Sequence, residues 1–88
     1  MNDLALADSV QLAADEHGAV LLDTHNGQMY GLNPAAALFC AALAEGASYE
    51  KASQAVLNAF DAEESVIRAD LDELIAELRE RNLLRDVS

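Results

Sequence analysis

The chain has little cysteine, little positive charge and no long apolar run, and each absence excludes a class of protein. Cys40 is its single cysteine, so it can form no internal disulfide and no cysteine cluster for a metal. It has no signal-peptide-like start, and no apolar run approaches the ~20 residues needed to cross a bilayer. We therefore expect a cytoplasmic protein with no membrane partner.

Positive charge is scarce: five Lys and Arg residues stand against sixteen Asp and Glu, a net charge of −11. Proteins that bind nucleic acids use basic side chains to neutralise phosphates, so we expect no nucleic-acid partner. Such an acidic surface instead favours neutral or basic partners, peptides among them.

The residue types needed for catalysis are also poorly placed. His17 and His25 both fall in predicted turns, and neither stands beside a recognisable serine or cysteine nucleophile. The sequence contains no phosphate-binding loop, CxxC, HExxH or EF-hand pattern. We predict that the protein is not an enzyme and has no catalytic residues, no metal and no cofactor.

The first third of the chain carries strand signals. Between residues 18 and 34, two short apolar runs are separated by Asn26-Gly27, a pair that is typical of hairpin turns. A two-residue loop there sets Asp23 opposite Tyr30 and Leu21 opposite Leu32. Alternating apolar residues from Val10 to Ala14 predict an earlier strand. Together these runs predict a three-stranded antiparallel sheet.

Helical signals follow. Asn33 is a predicted cap with Pro34 in the first turn, Ser48 caps a second helix, and Asp61 caps a third. The third helix has an apolar stripe made of Ile67, Leu71, Leu74, Ile75 and Leu78. The predicted fold class is α+β, a three-stranded antiparallel sheet followed by three helices in a winged helix-turn-helix-like arrangement. We expect one domain over residues 1–88, with residues 1–7 frayed.

The third helix is too acidic to act as a DNA-reading helix. Between Asp61 and Asn82 there are eight acidic and three basic residues. A helix of this charge beside a sheet edge leaves a cleft suited to a peptide.

A carrier protein is the alternative hypothesis. Asp8-Ser9-Val10 resembles the Asp-Ser-Leu at which acyl carrier proteins receive phosphopantetheine, and the length and acidity also suit a carrier. In the carrier fold, however, that serine opens a helix, whereas Ser9 precedes a predicted strand. An acyl or peptidyl carrier modified at Ser9 therefore stays as the second possibility.

The residues around the predicted hairpin resemble the PqqD family. The resemblance rests on residues 18–23, on Gly27 and on the run from Tyr30 to Asn33. The later pattern agrees with it, through Asp70-Leu71, Leu74, Leu78 and Leu83-Leu84. The similarity extends over residues 9–84.

This resemblance implies a recognition element for ribosomally synthesised, post-translationally modified peptides. Members of the family bind the leader segment of a precursor peptide and deliver it to a maturation enzyme. Standalone members serve lasso-peptide pathways, with a leader peptidase as partner, or PQQ assembly, with a radical SAM enzyme. The short, alanine-rich, acidic chain favours the lasso type, whose leaders carry a tyrosine and a proline that fill apolar pockets.

The resemblance also implies where the leader binds, as an added strand on the third strand of the sheet and against the third helix. This mode is β-strand addition. The implied peptide-binding residues are Gln28, Met29, Tyr30, Gly31, Leu32, Val66, Asp70, Glu73, Leu74 and Glu77. The opposite flank of the helix, with Arg68, Ile75 and Arg79, stays open as the alternative lining, and Tyr30 and Leu32 are equally consistent with ordinary sheet core. Because an open edge strand can pair with itself, we expect a monomer or a weak homodimer.

Overall fold

The computed structural model describes residues 3–16 and 18–87, so His17 lies outside the described residues. In chain order the elements are β1 (Asp3–Leu6), β2 (Val10–Asp15), β3 (Gly18–Asp23), β4 (Met29–Leu32), α1 (Pro34–Ala44), α2 (Tyr49–Ala59), α3 (Glu64–Glu80) and β5 (Leu84–Val87). Strands β2, β3 and β4 form an antiparallel sheet in that order, and three helices follow them. The predicted α+β class is confirmed.

The β3–β4 hairpin has a different register from the predicted one. Leu21 pairs with Tyr30, and Ala19 pairs with Leu32, so the two strands are shifted by two residues. The loop between them spans residues 24–27 instead of Asn26-Gly27 alone. Because the shift is even, each side chain stays on its predicted face of the sheet.

Hydrogen bonds that Asp23 accepts explain the longer loop. The Asp23 carboxylate accepts a bond from the His25 N–H at 2.9 Å, and the Asp23 carbonyl accepts one from the Gly27 N–H at 2.8 Å. The Asn26 side chain accepts from the Gln28 N–H at 3.0 Å. Gly27 has a φ of +75°, a conformation that glycine adopts readily. These bonds give the N–H groups of His25, Gly27 and Gln28 their acceptors, which favours the longer loop over a two-residue turn.

Both predicted caps at the starts of the first two helices are confirmed. The Asn33 side chain accepts a bond from the Ala36 N–H at 2.8 Å, and the Ser48 hydroxyl accepts one from the Lys51 N–H at 3.2 Å. The predicted cap at Asp61 is wrong: α3 begins at Glu64, and its cap residue, Glu63, makes no side-chain capping bond.

The core lies between the inner face of the sheet and the three helices. Its largest fully buried side chains are Phe39 from α1, Leu21 from β3 and Leu78 from α3. Phe39 also packs edge-on against Tyr49, with ring centroids 6.1 Å apart. The apolar stripe of α3 is part of this core, and the helix packs mainly against α2 and β5.

The two ends of the described chain form a second sheet, which the sequence did not indicate. β1 pairs antiparallel with β5, and the Ala7 N–H donates to the Leu83 carbonyl at 2.9 Å. Within the segment 1–7 that was expected to be frayed, residues 3–6 are therefore a strand, and residues 1 and 2 lie outside the described residues. Leu4 and Leu84 are both buried in the core, and this burial holds the two strands in place.

Candidate functional site

The outer edge of β4 offers unpaired backbone groups. The Asp23 N–H donates to the Gln28 carbonyl at 2.9 Å, so these two residues form a hydrogen-bonded pair of the antiparallel ladder. Such pairs alternate along a ladder, so the backbone of Tyr30 faces β3, whereas the N–H and C=O groups of Met29 and Gly31 face away from it. β4 has no further neighbour among the described strands. The edge can therefore accept another strand.

A cleft of about 300 Å³ lies next to Tyr30 of this strand, between α3 and the junction of β4 with α1. Its lining consists of Tyr30, Asn33, Ala35, Ala36, Asp70, Leu71, Glu73, Leu74 and Glu77. The spacing of Asp70, Glu73 and Glu77 along α3 places their side chains on one flank of the helix, and all three are exposed. The cleft thus has an apolar floor and an acidic rim.

Two of the lining residues, Tyr30 and Glu77, contact an arginine that the sequence did not single out. The Arg81 guanidinium lies over the Tyr30 ring, 5.1 Å from its centroid, and its Nη2 is 3.5 Å from Glu77 Oε1. Burial raises the pKa of the Tyr30 hydroxyl, and a hydrogen bond to Glu77 raises it further. Tyr30 is therefore neutral at physiological pH. The four-residue spacing of Glu77 and Arg81 was visible in the sequence, but the contact with Tyr30 depends on the tertiary fold.

The opposite flank of α3 is occupied by other contacts. Arg68 binds Glu64 at 2.7 Å and lies 3.6 Å from Glu50 of α2. Arg79 binds Asp86 of β5 at 2.7 Å, and Ile75 packs against the core. Of the two flanks left open by the sequence, the one with Asp70, Glu73 and Glu77 lines the cleft.

The structure brings most of the predicted site residues together. Tyr30, Asp70, Glu73, Leu74 and Glu77 line the cleft, and Met29 and Gly31 form the free edge. Gln28 precedes this edge, and Leu32 packs against the core from the inner face. Val66 is 51% exposed and does not line the cleft. The capping residue Asn33 and the α1 residues Ala35 and Ala36 are lining residues that the sequence did not single out. Contact of any of these residues with a peptide stays a prediction.

The other candidate groups lie away from the cleft lining. Ser9 is in the turn before β2, where its carbonyl accepts bonds from both the N–H and the hydroxyl of Thr24, each at 2.8 Å. It does not open a helix, as a carrier serine would. Cys40 is fully buried, and burial raises the pKa of its thiol to about 12.

The described residues provide neither a metal-binding group nor a membrane-spanning helix. Across residues 3–16 and 18–87, no three His, Cys, Asp or Glu side chains are grouped so that they could hold a metal ion. Within the same ranges, no helix has the length and apolar character needed to cross a membrane.

The fold and site define a small α+β domain with an open strand edge beside an acidic cleft. The model of the family described as coenzyme PQQ synthesis protein D (PqqD) matches residues 18–84. The chain therefore belongs to this family. The resemblance inferred from the hairpin residues is confirmed. PqqD-like recognition elements are generally non-catalytic binding domains. A search of curated proteins finds no match.

Two solved structures share the fold over most of the chain. Lasso peptide synthetase B1, complexed with the leader peptide, is 26% identical and has a TM-score of 0.78; the match covers 94% of this chain and 98% of that one. TbiB1, in complex with the TbiA(beta) leader peptide, is 23% identical with a TM-score of 0.81, over 92% and 94% of the two chains. The second match shows likeness of fold.

Proposed function

We propose that this domain binds the leader segment of a ribosomally synthesised precursor peptide as an added strand on β4. The domain then delivers the precursor to a maturation enzyme. A lasso-peptide leader peptidase is the favoured enzyme, and a radical SAM enzyme of the PQQ type is the next. Lasso peptide synthetase B1, a similar protein, has been solved in complex with a leader peptide, which supports the lasso assignment. The cytoplasm is the compartment that we propose for this step.

The free edge of β4 is the observation that carries the proposal. An antiparallel strand would form hydrogen bonds with the N–H and C=O groups of Met29 and Gly31. Each backbone bond contributes about 0.5–1.5 kcal/mol net. A micromolar affinity corresponds to about 8 kcal/mol. Backbone pairing alone therefore falls short, and side-chain contacts in the cleft must supply the rest.

Fluorescence polarisation of a labelled leader peptide tests the proposal, with the peptide taken from a small precursor gene beside the gene for this protein. Saturable binding that is competed by unlabelled leader is expected. Met29→Pro removes one outward N–H and puts the proline ring where the added strand would lie, so it should abolish this binding while the circular dichroism spectrum stays unchanged. Met29→Val keeps the N–H and serves as the matched control. Normal leader binding by the proline variant would show that the added-strand mode is wrong.

No observation favours the carrier hypothesis. Ser9 lies in a turn before a strand, and its carbonyl is bonded to Thr24. Treatment with a phosphopantetheinyl transferase tests that hypothesis directly, because modification of Ser9 would raise the mass of the protein. We expect no change in mass.

A further inference from the structure

The register of a bound leader follows from the free edge. If the leader pairs with the outward groups of Met29 and Gly31, one of its residues lies directly opposite Tyr30 in a non-hydrogen-bonded pair. Side chains of such a pair point to the same face of the sheet, with their Cβ atoms about 4.5–5.5 Å apart. Tyr30 lines the cleft, so the leader side chain opposite it also enters the cleft.

The charges around this position are not balanced. Glu77 has Arg81 as a partner, at 3.5 Å. Asp70 and Glu73 have no ion pair or hydrogen bond within residues 3–16 and 18–87. The remaining described arginines already have partners: Arg68 with Glu64 and Glu50, Arg79 with Asp86, and Arg85 with Asp8. Two uncompensated carboxylates therefore border the place that the leader side chain enters.

The apolar residues that line the cleft below the carboxylates indicate what the rest of the leader side chain must be like. Ala36 is buried, Leu74 is half-buried, and the Tyr30 ring forms one wall. A long aliphatic stem can cover such a surface while its charged end stays at the wet rim. Lysine and arginine have this structure, whereas an acidic side chain would be repelled by the rim.

Building on the proposed function, we infer that the leader carries a lysine or arginine opposite Tyr30, and that its cation pairs with Asp70 and Glu73. These carboxylates differ from the other acidic residues of α3 because the strand register brings a peptide side chain to them. The inference makes Asp70 and Glu73 specificity-determining residues of the peptide site.

A peptide selection tests this inference even while the natural precursor is unidentified. The probe is an mRNA-displayed library of random twelve-residue peptides, selected on the immobilised protein and counter-selected on the Met29→Pro variant. Peptides that need the free edge survive both steps. We expect lysine or arginine to be enriched at one position, between flanking positions that show no such enrichment.

Fluorescence polarisation of a selected peptide then locates the cation. Replacing its enriched lysine or arginine by glutamine should weaken binding about twofold to fivefold, as expected for exposed ion pairs. The Asp70→Asn, Glu73→Gln double variant should bind the original peptide more weakly by the same factor. It should bind the glutamine peptide with the same affinity as the native protein does. The matched control is Glu45→Gln, Asp61→Asn, which changes the net charge equally at two exposed positions that do not line the cleft.

The outcomes separate this inference from the function on which it rests. If the selection yields no peptide that fails to bind the Met29→Pro variant, both the inference and the proposed function are wrong. Met29-dependent binders with no enriched basic position overturn this inference alone. So does an equal loss of affinity in the control double variant, since the effect would then come from net charge.

Discussion

At the scale of single residues, Tyr30 links the sheet to the cleft. It pairs with Leu21 on the inner face of the sheet, lines the cleft, and lies under the Arg81 guanidinium. Core packing and a pocket role were alternatives for Tyr30 from the sequence, and its half-buried position is compatible with both. Because the ring and the hydroxyl have different neighbours, a single side chain can serve both roles.

Asp23 is the residue that determines the hairpin loop. It is only 5% exposed, and its carboxylate holds the His25 N–H. We expect Asp23→Ala to lower the free energy of unfolding by about 1–3 kcal/mol, because a backbone donor loses its acceptor. Asp23→Asn keeps an acceptor oxygen and should cost less. Urea denaturation measures both, and equal midpoints for the alanine variant and the native protein would contradict this role.

At the scale of elements, β4 has one edge paired with β3 and one free edge, and proline substitutions can tell which N–H groups lie on each. The Tyr30 N–H faces β3, so Tyr30→Pro removes an internal ladder bond and should destabilise the sheet by about 1–3 kcal/mol, because the facing carbonyl of β3 loses its donor. Met29→Pro, one position earlier, should leave stability nearly unchanged and affect only peptide binding. Thermal unfolding of the two variants checks the register. Similar losses of stability in both would contradict the assigned alternation.

The strand β1 is an element whose contribution can be measured through Leu4. Leu4 is 8% exposed, and Leu4→Ala should cost about 2–3 kcal/mol. Val66→Ala, at a 51% exposed position, is the control and should cost less than about 0.5 kcal/mol. The buried Cys40 provides the readout, because its thiol becomes reactive only when the core opens. Equal labelling rates in the two variants would show that β1 is peripheral.

Elements with local signals were predictable, and features with distant partners were not. The caps at Asn33 and Ser48 depend on residues three positions away, so the sequence reveals them. The pairing of β1 with β5 joins opposite ends of the chain, and nothing near residues 3–6 indicates it. The hairpin register was predicted wrongly because Asp23 competes with the Asn-Gly turn through its own hydrogen bonds. Arg81 was missed since its contact with Tyr30 crosses from a helix end to a strand.

At the scale of the whole molecule, charge opposes self-association at the open edge. Two copies paired through β4 would bring together chains of net charge −11. Salt screens this repulsion, so we expect a monomer at low ionic strength and a larger dimer fraction at high ionic strength. Sedimentation velocity measures this, and Met29→Pro should remain monomeric throughout. A dimer that weakens with added salt would point to a different, charge-paired interface.

The pairing of β1 with β5 also has a consequence for how the domain can be connected to other proteins. Positions 3 and 87 are partners in one antiparallel ladder, so the two ends of the described chain lie side by side. A host loop whose two stems are similarly close can therefore accept the whole domain as an insert without stretching it. By the same geometry, a short linker can join these ends in a circular permutant opened at Gly46. The domain can thus be attached to another protein through two adjacent chain ends on one side of the molecule.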